Sequence, residues 1–489
     1  MNYKMVFNII GRTLLVGAIL LLLPLAVGLC YGEMNIFPYV IPMGILVLLA
    51  IPCVALKIDD KSIYAKEGFV IVAFCWIILS LVGALPLVLS NAIPNYIDAV
   101  FETVSGFSTT GATVLSSDKI DALYLTHKGV LFWRSFTHYI GGMGVLVFVL
   151  ALFPGYGKGT MHVFRAESPG PSSSKFVSKI KRTAMLLYSI YTVMTVLLTI
   201  LLMFSGIGVY DSVLTAFATA GTGGFAPHGA SIAYYNSAYV EMVVAVFMFL
   251  FGVNFNLYYF ILIGNVTKIF KSEEFRTYLI IVLVAIFIIT LNILHLTVNF
   301  TQALRYSVFQ VTSLISTTGF TTTDFNLWPS LSKAILILLM IFGACGGSTG
   351  GGIKISRLII LCKSSASDIE KMVHPRAVLT NKLEGETITP EIERNVKTFV
   401  ILWLGIIILS TLLLSFDSFA GGDVFTHLTA SLSCIGNVGP GFNQVGPAFD
   451  FSGYNGFSKI ILSVIMLAGR LEIFPVIILF SAKTWKKNK

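Results

Sequence analysis

Four short stretches of hydroxyl, amide and glycine residues are the part of this sequence equipped for chemistry. They are Thr109-Thr110-Gly111, Thr222-Gly223-Gly224, Thr317-Thr318-Gly319 and Asn437-Val438-Gly439. None contains Asp or Glu, so what they offer a cation is carbonyl dipoles and hydroxyls. Glycine adopts φ > 0 without a Cβ penalty, which lets neighbouring carbonyls turn inward. Four inward turns around one axis can replace the water shell of a cation with carbonyl oxygens. One such turn is an ordinary loop between helices. Four of them, with glycines at 111, 224, 319 and 439, make an internal repeat that governs the rest of the reading.

The elements that position these turns follow from what surrounds each copy. A short apolar-and-hydroxyl segment precedes each one (99–107, 213–219, 303–315 and 424–435), and a long apolar run follows. The chain is 56 % hydrophobic and 12 % charged, against roughly 25 % charged for a soluble chain. That composition describes a polytopic membrane protein. Apolar runs of about 20 residues, the length that crosses a bilayer, occur near 9–31, 37–56, 68–89, 130–153, 184–204, 240–263, 278–296, 334–361, 399–414 and 460–480. The first leads into the second without a small-residue cleavage site and reads as a true span. The expected fold is therefore all-α, with about ten transmembrane helices. An N-terminal helix pair (1–60) precedes four repeats of helix, re-entrant half-helix, turn and helix around one pore. The repeats cover 61–160, 161–270, 271–365 and 396–489, with a cytoplasmic linker at 366–395.

Charge placement orients the chain. Basic residues collect at Lys4 and Arg12, at Lys57, Lys61 and Lys66, from Lys158 to Arg182, at Lys268, Lys271 and Arg276, from Lys363 to Lys382, and at Lys483 to Lys489. All these loops fall on one side, which the positive-inside rule makes cytoplasmic. Both termini are then cytoplasmic and the turns open from the external face. The net charge of +9 is explained by this topology without nucleic acid. The cysteines lack metal-ligand spacing and read as small core residues.

Two further features lie inside the apolar runs. Residues 343–352 hold six glycines with Ser348 and Thr349, a poor helix because each glycine costs about 1 kcal/mol relative to alanine. Gly346, Gly347, Ser348, Thr349, Gly350, Gly351 and Gly352, closed by Lys354, read as an unwound loop below the turns. The alternative is a glycine-rich packing face. Arg470 lies in the last run, where an ionisable residue marks function by default. Facing the pore it would raise a barrier to cations; the alternative is a neutralising pair with Glu472. Arg134 is expected to snorkel or to pair with Glu102. His138, His295 and His427 are scattered and carry no assigned chemistry.

Together with Phe101-Glu102-Thr103-Val104-Ser105-Gly106, the four turns resemble the superfamily of Trk, Ktr and HKT potassium transporters. Three stretches narrow the resemblance to the bacterial Trk membrane subunit: Trp133-Arg134 with Gly141-Gly142-Met143-Gly144, then Arg165-Ala166-Glu167-Ser168-Pro169-Gly170-Pro171, and Gly346 through Lys354. The resemblance implies potassium uptake across the bacterial inner membrane by a homodimer with one pore per protomer. It implies a gate at the glycine loop, the same barrier role for Arg470, and regulation by cytosolic TrkA-type nucleotide-binding subunits. Potassium is then the bound ion, and any nucleotide sits on the partner rather than on this chain. The other reading is a secondary transporter that couples potassium to sodium or proton entry. An intramembrane enzyme lacks any cluster of His, Asp or Glu to support it.

Overall fold

The computed structural model describes residues 1–57, 64–144, 180–377 and 379–485. The end of the expected fourth span, the stretch Arg165–Pro171 and the basic residues Lys61, Lys158, Lys175, Lys179 and Lys486 to Lys489 lie outside the described residues. A leading unit consists of α1 (Tyr3–Leu20), α2 (Leu22–Cys30) and α3 (Phe37–Ala55). The first repeat has α4 (Ala65–Gly83), α5 (Leu85–Leu89), α6 (Tyr96–Phe107), α7 (Ser117–Thr126) and α8 (Lys128–Met143). The second has α9 (Ile180–Met203), α10 (Val209–Ala220), α11 (Ala238–Phe251), α12 (Phe255–Leu262) and α13 (Thr267–Lys271). The third has α14 (Glu273–Ile293), α15 (Phe300–Ile315), α16 (Ser330–Ile341) and α17 (Ile355–Val373). A two-stranded hairpin, β1 (Lys382–Leu383) and β2 (Glu386–Thr387), leads to the fourth: α18 (Pro390–Leu414), α19 (Val424–Gly436), α20 (Gly456–Arg470), α21 (Phe474–Phe480) and α22 (Ala482–Trp485).

The repeats close into a ring. In each, the first long helix packs on its own short buried helix: α4 on α6, α9 on α10, α14 on α15 and α18 on α19. The helix after the turn packs on the short helix of the next repeat, α8 on α10, α11 on α15 and α16 on α19, and α20 of the fourth returns to α6 of the first. Hydrophobic clusters straddle the same boundaries. One joins the leading unit and the first repeat to Met466 and Leu471 of the fourth, another joins the third and fourth repeats, and a third brings Phe309 and Phe320 onto the second. No repeat buries its apolar surface alone, as repeat architecture requires.

The all-α membrane architecture is as expected, with several of its apolar runs broken rather than continuous. Among the described residues six helices are long and apolar enough to cross a membrane, or seven if α11 and α12, bent by 94°, count as one. The difference lies in the helices after the turns. α8, α11, α16 and α20 are 16, 14, 12 and 15 residues long, which at 1.5 Å per residue is about 18–24 Å, short of the ~30 Å hydrocarbon core. All four stop at comparable places: at Gly144 (φ 83°), at Gly252 to Asn254, at the loop 342–354, and at Glu472 and Ile473 (φ 57° and 66°). Hydropathy counts apolar residues along the chain and does not register a change of direction.

Candidate ion pathway

The four short helices are buried although rich in hydroxyls, and side chains cap three of them. Asn95, Asn299 and Asp423 accept hydrogen bonds from backbone N–H groups in the first turn of α6, α15 and α19, the usual stabilising arrangement at a helix start. Their C-termini share one geometry. Thr109, Thr222, Thr317 and Asn437 all lie in the left-handed region, at φ 54°, 53°, 59° and 53°. The N–H of the following residue bonds back five positions, Thr110 to Ser105, Gly223 to Ala218 and Thr318 to Ser313 at 2.9 Å each, and Val438 to Ser433 at 3.0 Å. That is a Schellman closure in which a threonine or asparagine occupies the place ordinarily held by glycine. A β-branched residue there is an outlier, and such strain persists only where its surroundings over-determine it.

The surroundings are the neighbouring turns. Gly111, Gly224, Gly319 and Gly439 again have positive φ, 81°, 80°, 80° and 103°. A Cβ added at Gly111 would meet the Gly223 carbonyl oxygen, at Gly224 that of Thr318, at Gly319 that of Val438, and at Gly439 that of Thr110. Each turn therefore sets a carbonyl against the glycine of the preceding repeat, and the fourth closes on the first. Only glycine fits these four approaches. Repeats 1 and 3 match in detail: Ser108 with Thr110 and Ser316 with Thr318 share hydroxyl contacts of 2.7 Å. In the fourth, Asn437 instead donates from Nδ2 to Thr110 Oγ1 and to the Met466 carbonyl, both at 2.9 Å. The ring is fourfold in its backbone and less than fourfold in its side chains. Among the described residues no group of three or more His, Cys, Asp or Glu could hold a metal ion. The oxygens that the four turns carry are those of backbone carbonyls, threonine hydroxyls and the Asn437 amide.

Buried side chains brace the ring from outside. Arg134 pairs with Glu102 at 2.6 Å, both buried, and its guanidinium lies 3.5 Å from the Phe225 ring centroid. Glu102 also accepts from Thr113 Oγ1 and the Val114 N–H, each at 2.9 Å. Of the two roles foreseen for Arg134, the structure has the pair. His138 was given no chemistry by the sequence, yet its Nδ1 lies 2.8 Å from the Gly106 carbonyl and its Nε2 accepts from the Phe225 N–H at 3.2 Å. Those partners place the proton on Nδ1 and make the neutral ring a tie between the first two repeats.

Directly against the ring lies the glycine segment. Residues 342–354 contain no helix, which removes the packing-face alternative. The loop is pinched at its base, with Gly343 N–H donating to Ile353 O and Ile353 N–H to Ile341 O at 3.0 Å. Its returning limb reaches the turns, where the Gly351 N–H donates to Thr317 Oγ1 at 2.7 Å. Lys354 is buried and its Nζ folds back onto the Gly350 carbonyl. On the far side, Cys345 N–H donates to Gly252 O and Phe255 N–H to Gly347 O, so the bend in the sixth span is filled by this loop.

Arg470, the last residue of α20, donates to Thr349 O of the loop at 2.7 Å and to Gly141 O and Gly142 O of α8 at 2.5 and 2.6 Å. It joins loop, first repeat and fourth repeat below the ring. Glu472 is salt-bridged to Arg357 of α17, and the positive φ of Glu472 turns the chain there so that its carboxylate reaches that helix. Arg357 also lies 3.9 Å from the Phe399 ring centroid. The sequence reading missed Arg357, and it missed Glu274, a buried carboxylate on α14 that accepts from Gly346 N–H at 2.7 Å and Ser356 N–H at 3.0 Å. Their one visible signal was an ionisable residue bordering an apolar run.

Comparison with known proteins agrees with this architecture. The family model described as "TrkH: Cation transport protein" matches residues 40–487. The Trk system potassium uptake protein TrkH of Halomonas elongata is 33% identical over 496 residues, covering 100% of both chains. The Trk system potassium uptake protein TrkG of Escherichia coli K12 is 31% identical over 492 residues, covering 99% of each. The crystal structure of the potassium transporter TrkH from Vibrio parahaemolyticus superposes with a TM-score of 0.87 at 30% identity, covering 99% of this chain and 100% of that one.

Proposed function

The chain belongs to the TrkH family of cation transport proteins, a multi-pass membrane transporter rather than an enzyme, and we propose that it carries potassium into the cell through the ring of turns. In this reading the backbone oxygens of Thr109, Thr110, Thr222, Gly223, Thr317, Thr318, Asn437 and Val438 replace the water around the ion, with Gly111, Gly224, Gly319 and Gly439 keeping side chains out of the way. The observation that carries it is the closed cycle in which each turn's carbonyl faces the preceding repeat's glycine. Carbonyl oxygens brought together by non-helical backbone at membrane depth would suit a desolvated cation and are tolerated only where protein covers them.

The loop from Gly346 to Gly352, with Lys354, is the gate in this reading, and Arg470 both pins it and sets a positive charge in the cation's path. The chain would reside in the bacterial inner membrane as a homodimer, both termini cytoplasmic, with a TrkA-type nucleotide-binding partner acting on its cytoplasmic face. Coupled transport is the weaker reading because it needs carboxylates that can exchange a sodium ion or proton. Glu102, Glu241 and Glu472 are each salt-bridged, to Arg134, Arg305 and Arg357. Glu274 is held by backbone N–H groups.

The test is potassium and sodium flux through the purified protein in liposomes under an imposed voltage with no ion gradient. Flux that follows voltage alone, potassium above sodium, supports the channel-like reading. Flux that requires a sodium or proton gradient overturns it in favour of coupling.

A further inference from the structure

The glycine loop is not anchored only to the ring and Arg470. Its entry and its exit meet at one atom: Oε1 of Glu274 accepts from the N–H of Gly346 near the loop's start and from the N–H of Ser356, the second residue of α17. Lys354, at the N-cap of α17, makes no side-chain cap bond, so the Glu274 carboxylate stands in from another helix. A carboxylate at a helix N-terminus also meets the positive end of the helix dipole. The same motif recurs one step further out. Glu384 is the first turn residue of the cytoplasmic hairpin, where Glu384 and Gly385 have φ 53° and 81°, values that a two-residue hairpin turn demands. Its Oε1 accepts from Ser272 Oγ at 2.8 Å and from the Glu274 N–H at 3.0 Å, at the N-terminus of α14. The hairpin is itself held to α17, since Lys363 Nζ donates to the Lys382 carbonyl at 2.7 Å.

We propose that Glu274 is the positioning residue that holds the glycine loop across the pathway, and that Glu384 couples it to the cytoplasmic hairpin through the N-terminus of α14. The proposal rests on the loop being the gate. Hydrogen bonds to a charged acceptor are stronger than neutral ones, and this one secures both ends of a segment whose glycines otherwise leave it many conformations. Moving the hairpin relative to α14 loosens Glu274, and loosening Glu274 frees entry and exit of the loop at once. A cytosolic regulator that seizes the hairpin then has a path of three hydrogen-bonded groups to the gate without touching it.

The experiment measures basal potassium flux, the potassium-to-sodium ratio and assembly of the full-length protein in liposomes. Glu274→Ala is expected to raise basal flux on the order of tenfold or more, since it removes both hydrogen bonds that the carboxylate accepts and a bond to a charged acceptor is worth about a tenfold population shift or more, with the ion ratio unchanged. Glu274→Gln, which keeps an acceptor oxygen without the charge, falls between. Glu384→Ala raises flux by less, and the double variant rises no further than Glu274→Ala alone, because both act through one helix. Deletion of residues 346–351 serves as the control for the gate. If the deletion raises flux and Glu274→Ala does not, the positioning role is wrong and the gate stands; if neither changes flux, the gate reading fails. Should Glu274→Ala not assemble, wild-type flux in both Glu274→Gln and Glu384→Ala overturns the proposal.

Discussion

The ring of turns and the loop beneath it are both irregular, glycine-rich backbone buried in the same molecule, and they are built on opposite principles. The ring is made of four near-copies, each strained residue braced by its neighbour, so that moving one turn disturbs all. The loop occurs once, in the third repeat, and is tied by hydrogen bonds to unlike partners: Thr317 of the ring, Glu274 of α14, Phe251 and Gly252 at the end of α11, Phe255 of α12 and Arg470 of α20. Over-determined structure suits discrimination between ions, which needs fixed oxygens. A segment without repeated copies, held by separate hydrogen bonds to unlike partners, suits switching, which needs two arrangements within a few kcal/mol. On the function proposed above, selection and gating fall to two structures of opposite build.

The sharpest attempt to break that division is Gly319→Ser. The position has φ 80° and the new Cβ would meet both the Val438 carbonyl and the Pro440 ring. Left-handed strain of about 1–2 kcal/mol adds to the displaced carbonyl, and potassium preference should fall by about tenfold or more. Normal assembly with an unchanged permeability ratio would refute the role given to the ring. Arg470→Ala comes next. It removes the bonds to Thr349, Gly141 and Gly142 and a charge from the path, so basal flux should rise severalfold while the ratio holds; loss of assembled protein would make the arginine structural instead.

Thr317→Val sharpens the boundary, because Thr317 belongs to the ring and also accepts from the loop's Gly351 N–H. That donor would be left buried and unpaired, at a cost of about 1–3 kcal/mol to the arrangement that places the loop against the ring. Thr109 occupies the same place in the first repeat, and its hydroxyl has no hydrogen-bond partner among the described residues, so Thr109→Val should alter flux far less. Equal effects of the two substitutions on basal flux would show that the loop draws nothing from Thr317. The smallest effect belongs to the Asp368–Lys397 pair between α17 and α18, 2.7 Å long with both side chains about half exposed. The lysine hydrogen bond and charge hold the Asp368 carboxyl below its usual range. Any stability it lends is therefore present above the ordinary carboxylate titration and is lost on acidification. Solvent screens such pairs, and Asp368→Asn should leave both flux and melting temperature at neutral pH unchanged.

The sequence made the ring legible because a fourfold motif announces itself in one dimension, and Gly111, Gly224, Gly319 and Gly439 all proved to occupy equivalent backbone geometry. The loop was legible too, since six glycines in ten residues cannot hold a helix. What stayed hidden was everything set by distant contacts. Arg470 was weighed against Glu472 two residues away, and its bonds to Gly141, Gly142 and Thr349 could not be foreseen from its neighbours in the chain. Glu472 reaches Arg357, which is 115 residues distant. Glu274 looked like one more acidic residue at a helix start, because nothing local reveals that its oxygen serves another helix. The breaks after α11 and α20 were hidden for a related reason, as bends made by backbone direction leave apolar composition untouched.

The division between a selecting ring and a gating loop is tested most directly by deleting residues 346–351 and measuring both ions in one experiment. Potassium and sodium currents through the full-length variant and the parent protein would be compared in liposomes at the same imposed voltage and protein density. The account predicts higher basal flux of potassium with the potassium-to-sodium ratio of the parent. A well-assembled variant whose flux is unchanged, or whose ratio collapses as flux rises, would contradict it.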